Sequence, residues 1–189
     1  ALAHTVSRCG DRLVGHQVEL RMVEMAKTIG WTMGPNLENR RDPSGSVWSV
    51  DRLFPFSHET MTMSAIVSDG RKRLAICKGS FEALKTRCTS ISPQSDQAAN
   101  IFAKEGCYVI AVGVKELAMT TSAEIVREDV EFGMEFAGLI LFRNEVKPDS
   151  RDCILELNAA GIDSVMVTGD SVYTGTVVAQ QVGMIPPAS

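Results

Sequence analysis

Residues 61–80 read MTMSAIVSDGRKRLAICKGS, and their pattern is the strongest indication of the fold in this chain. Two mainly apolar runs, 61–67 and 74–78, lie on either side of Ser68-Asp69-Gly70, and this arrangement is typical of a β-hairpin. Three other runs have the same strand-like character: residues 47–54, 109–114 and 136–142. We therefore predict a sheet built largely of antiparallel neighbours.

Helices are predicted between and around these strands. Apolar residues recur at helical spacing from about residue 17 to 29, and Gly30 follows as a C-terminal cap. Four further helices are predicted: residues 80–86, 95–105, 148–160 and 173–182. The larger part of the chain is thus predicted to be an α+β domain, an antiparallel sheet flanked by helices.

Two connecting segments have a distinct character. Residues 33–46 contain prolines, glycines and asparagines without periodicity, which is typical of a flexible loop. The charged segment between the last two predicted strands is interpreted as a helix with a solvated face. That face carries Glu124, Arg127, Glu128 and Glu131.

The composition excludes several classes of protein. Fractions of 44% hydrophobic and 22% charged residues are typical of a globular protein, and no run approaches the ~20 apolar residues of a membrane span, so no direct membrane contact is expected. A net charge of −4 with scattered basic residues argues against nucleic acid as a partner. Five widely spaced cysteines without a Cys-x-x-Cys motif argue against disulfides and a zinc site, and we predict no metal-ligating residues. The chain begins at Ala1 without a methionine and is interpreted as part of a longer protein.

The C-terminal part follows another pattern. A short β-branched run at 164–167 is predicted to be a buried parallel strand, and it leads into Thr168, Gly169 and Asp170. A hydroxyl, a glycine and a carboxylate at the carboxyl end of such a strand suit a phosphate group and magnesium. The alternative is an ordinary turn.

Two further clusters are candidates for ligand binding. Lys78 and Gly79 end a predicted strand, where a lysine and a closely approachable backbone suit a nucleotide base and its phosphates. The alternative is that Ser80 caps the next helix and Lys78 is a solvated strand end. Phe56, within the Phe-Pro-Phe-Ser-His run at 54–58, is either a stacking platform for a base or a core residue.

The order and content of these motifs resemble one family. Phe-Pro-Phe-Ser (54–57), Lys-Gly-Ser-Phe-Glu (78–82), Lys147-Pro148 and Met-Val-Thr-Gly-Asp (166–170) together resemble the nucleotide-binding half of P-type ATPases, over nearly the whole chain. Other positions resemble the type V branch, with polyamine-transporting members closest. They are Leu13-Val14-Gly15 with Glu19, Gly138-Leu139-Ile140, Asn144, Glu156-Leu157-Asn158 and Gly183-Met184-Ile185.

The resemblance implies a domain plan. Residues 1–143 would be the nucleotide-binding domain and 144–148 a hinge. Residues 149–189 would be a fragment of the phosphorylation domain, with a partial α/β fold like that of haloacid dehalogenases.

The resemblance also implies site residues. Phe56 would stack on adenine, Lys78 and Gly79 would line the base pocket, and Glu19 would hydrogen-bond near the adenine amino group. His58 and Tyr108 would belong to the same ATP site. Thr168, Gly169 and Asp170 would surround the transferred phosphoryl group and its Mg²⁺.

The implied parent protein is a membrane transport ATPase. It would couple ATP hydrolysis, through an aspartyl-phosphate, to the transport of a polyamine or cation. Partners of this chain would be ATP and the remaining phosphorylation, actuator and membrane domains. The chain would be a cytosolic domain of an integral membrane protein of the endomembrane, vacuolar or lysosomal type.

The chain also departs from the family pattern. It has neither the Asp-Lys-Thr-Gly motif of the nucleophile nor the later Gly-Asp-Gly motif, so we expect no phosphoryl transfer by this chain alone. Met61 lies where many members have a lysine, Tyr108 where they have an arginine, and His58 at another basic position. With fewer point charges near the triphosphate, we expect a millimolar dissociation constant for ATP, which corresponds to a binding free energy of about −4 kcal/mol.

Two rival interpretations stay open. One is an interaction or regulatory module of the same architecture that does not bind nucleotide. The other is a phosphatase-like hydrolase, which the absence of an Asp-x-Asp pair disfavours.

Overall fold

The structure of the protein is a computed structural model. It describes residues 2–34, 37, 39–120, 125–143, 145–168 and 172–186. These residues form two compact units that alternate along the sequence. The first unit comprises Ala1–Ile91 and Ile110–Gly138, and the second comprises Ser92–Val109 and Leu139–Ser189.

A seven-stranded sheet confirms the predicted α+β class. Its strands, in spatial and sequence order, are β3 (Thr32–Met33), β4 (Arg40–Arg41), β5 (Val47–Ser57), β6 (Thr62–Ser68), β7 (Arg73–Ser80), β8 (Tyr108–Leu117) and β9 (Glu135–Phe142). Each neighbouring pair from β3 to β8 is antiparallel. A separate hairpin, β1 (Ser7–Cys9) and β2 (Arg12–Val14), was not predicted because three-residue strands carry no readable periodicity.

Six helices occur in the described part of the chain. The first unit holds α1 (Gln17–Thr28), α2 (Phe81–Lys85) and α4 (Arg127–Glu131), and the second holds α3 (Pro93–Lys104), α5 (Ser150–Ala159) and α6 (Val172–Gln181). Serine caps start two of them, since Ser80 accepts from the amide of Ala83 and Ser92 from that of Ser95. None of these helices has the length and apolar composition that crossing a membrane requires.

The β6–β7 hairpin is the centre of the first unit. It pairs in continuous register from Thr62 with Gly79 to Ser68 with Arg73. The Asp69 carboxylate accepts from the amides of Arg71 and Lys72 at 2.8 and 2.7 Å, and Gly70 supplies a φ of 82°. Aspartate and glycine therefore close the turn in the way that the sequence predicts.

The two faces of β6 have different surroundings. On one face Ala65 and Val67 pack with Trp48 and Leu2 in an apolar cluster. On the other face the hydroxyls of Thr62 and Ser64 point at a buried carboxylate. Residues 62–67 are buried throughout, so both faces are covered.

That carboxylate belongs to Glu131 of α4, which is 1% exposed. It accepts from the hydroxyls of Thr62 and Ser64, both at 2.8 Å. The Nε atoms of Arg87 and Arg127 lie 3.3 and 2.9 Å from its oxygens. These five residues are called the buried network below. Thr62, Ser64 and Arg87 hydrogen-bond the carboxylate, and Arg127 adds a second positive charge beside it, which compensates a charge that burial alone would make costly.

The buried network corrects the prediction of a solvated helix face. Glu131 is buried and the Arg127 side chain is only 19% exposed, because strand hydroxyls and a second arginine compensate the carboxylate. Glu128 is exposed as predicted, and Glu124 lies outside the described residues.

We predicted that residues 33–46 form a flexible loop, but part of this segment is a strand. Arg40 and Arg41 pair with Trp48 and Val47 of β5, and the buried Arg40 donates from Nε to the Leu37 carbonyl at 2.9 Å. Tertiary pairing with β5 therefore creates the short strand β4, although the local sequence has no strand periodicity.

The prediction of a strand at 164–167 is also wrong. The described residues place no strand beside it, and the side chains of Val165 and Val167 are 83% and 92% exposed. A single parallel strand is stabilised only by hydrogen bonds to neighbours and by burial of both faces, and neither is present here. The adjoining Gly169 and Asp170 lie outside the described residues.

A buried histidine generates a pH prediction. His4 is 4% exposed and its Nδ1 accepts from the amide of Val6 at 3.1 Å. Burial, with the charge of Arg40, lowers the pKa of His4 from 6.5 to about 3. The unfolded chain therefore binds a proton below about pH 6.5 that the folded chain does not bind until about pH 3.

We expect the free energy of unfolding to fall by about 1 kcal/mol per pH unit between pH 6 and 4 through His4 alone. His4→Asn keeps an acceptor for the Val6 amide and should remove this slope, as measured by urea unfolding at several pH values. His58→Asn, at an exposed position, is the control and should leave the slope intact. Equal slopes in the wild type and His4→Asn would contradict the assignment.

A second prediction concerns Glu131. Glu131→Ala leaves Arg87 and Arg127, whose side chains are only 11% and 19% exposed, without their carboxylate and should lower the free energy of unfolding by about 3–5 kcal/mol. Glu128→Ala, on the exposed side of the same helix, should change it by less than about 0.5 kcal/mol. Chemical denaturation of both variants measures the difference, and similar losses would show that α4 is not held by its carboxylate.

Candidate functional site

An ion pair between Lys78 and Glu19 marks the candidate site. The ammonium of Lys78, near the end of β7, lies 2.9 Å from Glu19 Oε1 on α1, and the two side chains are only 11% and 10% exposed. Thr5 donates to Glu19 Oε2 from its amide at 3.0 Å and from its hydroxyl at 2.6 Å. The sulfur of Met22 lies 3.5 Å from the ammonium. Lys78 is therefore not a solvated strand end, although Ser80 does cap α2.

The electrostatics of this pair reflect its burial. Burial alone would raise the pKa of the Glu19 carboxyl, but hydrogen bonds from Thr5 and Lys78 lower it below its ordinary value. Burial lowers the pKa of Lys78, and Glu19 opposes that shift. Each group is thus kept charged by its partner, at a site from which water is largely excluded.

A β-bulge decides which face of the sheet Phe56 occupies. Phe54 pairs with Ser64 and Ser57 with Thr62, so β5 has one extra residue between these pairs. Ser64 and Thr62 both belong to the face of the buried network, and directly paired residues share a face. Phe56 therefore lies within the bulge and opposite the residue between them, on the other face.

The residue opposite the bulge is Met63, which pairs with Lys78. Phe56, Met63 and Lys78 thus share one face of three adjacent strands, with β5 and β7 about 10 Å apart. Phe56 is 46% exposed, so its ring is available at this face. The exposed His58 ring contacts it edge-on at a centroid distance of 5.1 Å.

Gly79 is buried and is packed against its own chain. A Cβ at Gly79 would lie 2.3 Å from the carbonyl oxygen of Met61, which also accepts from the amide of Ser80 at 3.2 Å. Met61 itself has a left-handed φ of 52°. The glycine is therefore required by a close backbone approach between β6 and β7, whether or not a ligand lies nearby.

Two other predicted site residues belong to the second unit. Tyr108 is 44% exposed and its ring contacts that of Phe142 at 6.5 Å. Thr168 is exposed, with its methyl group near Gly175. In the same unit a cavity of about 580 Å³ has an apolar wall of Val146, Val177 and Val178 and contains no predicted site residue.

Sequence reasoning missed some of the residues that build the site. Thr5 donates two hydrogen bonds to Glu19, and no sequence motif indicates this role. Arg127 and Glu131 stand four residues apart on one helix, a spacing that does signal an ion pair, but not its burial. The described residues contain no cluster of three or more His, Cys, Asp or Glu side chains that could hold a metal ion.

Comparison with known proteins identifies the family. A family model described as P-type ATPase, cytoplasmic domain N, matches residues 4–149. The chain belongs to the P-type ATPases. The matched region contains the β5–β7 sheet with the Lys78–Glu19 pair.

Relatives among curated P-type ATPases cover nearly the whole chain. The probable cation-transporting ATPase catp-6 of Caenorhabditis elegans is 32% identical over 100% of this chain and 17% of its own length. Polyamine-transporting ATPase 13A2 of Homo sapiens is 30% identical over 99% and 18%. The endoplasmic reticulum transmembrane helix translocase of Saccharomyces cerevisiae is 29% identical over 97% and 15%. The chain therefore spans less than a fifth of these relatives, whose names agree with the type V branch.

The buried ion pair generates a third prediction. In a double-mutant cycle of Glu19→Ala and Lys78→Ala, we expect a coupling free energy of about 1–3 kcal/mol, because either single change leaves a buried charge. The exposed Arg21–Glu24 pair of the same helix α1, with side chains 69% and 57% exposed, is the matched control and should couple by less than about 0.5 kcal/mol. Urea unfolding measures both cycles, and equal couplings would contradict the burial of the first pair.

Proposed function

We propose that this chain is the ATP-binding domain of a P-type transport ATPase together with part of its phosphorylation domain. The proposed division is residues 1–143 for the nucleotide-binding domain, 144–148 for the hinge and 149–189 for the phosphorylation-domain fragment. Membership of the P-type ATPases and the match to cytoplasmic domain N support the proposal.

The observation that carries the proposal is the shared face of Phe56 and the Lys78–Glu19 pair. A half-exposed aromatic ring offers a stacking surface for a base, and a buried carboxylate on the same face offers an acceptor for an amino group. Three of the roughly four lone-pair directions of the Glu19 carboxylate receive bonds from Thr5 and Lys78, which leaves one for the amino group of adenine.

The proposed site offers few positive charges for the triphosphate of ATP. Met61 is 42% exposed and Tyr108 is 44% exposed, and neither supplies a positive charge. His58, beside Phe56, is the basic side chain proposed for this side. Because charge-assisted hydrogen bonds to phosphate are missing, we expect a millimolar dissociation constant for ATP, or a binding free energy of about −4 kcal/mol.

The proposed activity of the whole protein is ATP-driven transport. The nucleotide domain would hold ATP by its base and bring the γ-phosphate to an aspartate of the phosphorylation domain, with Thr168, Gly169 and Asp170 near the phosphoryl group. Magnesium would neutralise the developing charge. The names of the nematode and human relatives support a cation or polyamine as cargo, and the name of the yeast relative supports an endomembrane. The description of the family model supports a cytosolic position of this domain.

A titration tests nucleotide binding. ATP is added to the 189-residue chain while backbone amide signals are observed, and saturable shifts are expected near Phe56 and Lys78. Lys78→Ala should abolish them, whereas Lys72→Ala, at the other end of β7 in an exposed turn, should not. No saturable change by tens of millimolar would favour the interaction module instead.

Phe56→Ala measures the stacking contribution. Removing the ring should raise the dissociation constant for ATP about 5- to 150-fold, because base–aromatic stacking contributes about 1–3 kcal/mol. Phe132→Ala is the matched control, since that ring is 51% exposed in the same unit. An unchanged affinity in Phe56→Ala would remove Phe56 from the site.

A further inference from the structure

The guanidinium of Arg127 contacts three backbone carbonyls around the bulge of β5. Its Nη2 lies 3.3 Å from the Phe54 oxygen and 3.4 Å from the Thr62 oxygen, and it also donates to the Pro55 oxygen. Two of these carbonyls immediately precede Phe56 in the chain. One side chain therefore holds both sides of the irregular segment that carries the exposed ring.

The bulge needs such a contact for a structural reason. An extra residue interrupts the ladder between β5 and β6, so carbonyls there lose their cross-strand partners. Pro55 within the bulge has no N–H, which removes another backbone bond. An arginine, with five donors in a rigid fork, can bind several of these oxygens and an acid at once.

Arg127 is itself fixed. Its Nε lies 2.9 Å from Glu131 Oε1, and its side chain is 19% exposed. The Arg127 carbon Cζ also lies 6.0 Å from the centre of the Phe54 ring. Glu131 in turn is held by Thr62, Ser64 and Arg87. The guanidinium therefore lies between the acid and the bulge, with Nε in ion-pair contact with Glu131 and Nη2 donating to the bulge carbonyls.

From these contacts we propose that Arg127, oriented by Glu131, is a positioning residue that fixes the Phe54–Ser57 bulge and thereby the ring of Phe56. The inference rests on the proposed function in one respect, that the ring receives a nucleotide base. Arg127 does not contact the nucleotide, because its guanidinium lies on the face of the buried network and Phe56 on the opposite face. Its effect on binding passes through the backbone.

Paired arginine-to-lysine variants separate positioning from stability. Arg127→Lys keeps a positive charge beside Glu131, but a lysine cannot bind the acid and the carbonyls together. Arg87→Lys makes the same change at the other arginine of the network, which is 11% exposed and bonds the Ala83 carbonyl rather than the bulge. Both variants perturb the same buried acid, and only one touches the segment of Phe56.

The first measurement needs no nucleotide. In the wild-type chain, ring-to-ring nuclear Overhauser contacts between Phe56 and His58 report the position of the ring, since the centroids are 5.1 Å apart. We expect Arg127→Lys to weaken these contacts and to shift the amides of residues 54–57, and Arg87→Lys to leave both unchanged. Unchanged ring contacts in Arg127→Lys, or equal changes in the two variants, would overturn the inference.

The second measurement uses ATP and inorganic tripolyphosphate as probes. Arg127→Lys should raise the dissociation constant for ATP about fivefold to tenfold, which is the lower end of the range expected when the stacked ring is removed. The affinity for tripolyphosphate should not change. In the Phe56→Ala background the same substitution should have no further effect. A full additional loss in that background would overturn the inference, because Arg127 would then act independently of the ring.

The two proposals fail in different ways. If the wild type does not bind ATP and Arg127→Lys still displaces the Phe56 ring, the nucleotide function is wrong and the positioning role stands. If ATP binds and Arg127→Lys changes neither the ring nor the affinity, the positioning role is wrong and the nucleotide function stands.

Discussion

The double-sided burial of strand β6 is the constraint on which the first unit depends. Its residues from Thr62 to Val67 are inaccessible to water, and they include two hydroxyls as well as large apolar side chains. Every polar group there needs a partner inside the protein, because an unpaired buried hydroxyl costs about 1–3 kcal/mol. Glu131 meets that requirement on one face, and its own charge then requires Arg87 and Arg127.

The opposite face repeats the arrangement with other residues. Glu19 is buried beside the sheet and is compensated by Lys78 and Thr5. Both carboxylates therefore join a helix to the central hairpin, Glu131 through the hydroxyls of Thr62 and Ser64 and Glu19 through the ammonium of Lys78. Because desolvation offsets much of the attraction, we expect these pairs to contribute more to the specific placement of α1 and α4 than to net stability. A site that needs a carboxylate, an ammonium and an aromatic ring in fixed positions benefits from such rigidity.

The elements that sequence reasoning predicted correctly are those with strong local signals. Asp69 and Gly70 determine the hairpin turn through side-chain hydrogen bonds and a positive φ, and Ser80 caps its helix, so both can be read from neighbouring residues alone. The segment 164–167 has an equally strong apolar signal, yet Val165 and Val167 are exposed. Apolar periodicity indicates which side chains a segment could bury. A strand forms only where a neighbouring strand is present to pair with it.

The α+β class, the central hairpin, and the motifs around Phe56 and Lys78 that resemble the P-type ATPases can all be predicted from the amino-acid sequence alone. Three features become visible only in the folded chain: Lys78 is paired with Glu19, Glu131 is buried, and a bulge turns Phe56 to the face of Lys78. The physical reason is the range of the interactions. Turns, caps and periodicity depend on residues a few positions apart, whereas Glu19 and Lys78, 59 positions apart, meet only when a helix packs on the sheet.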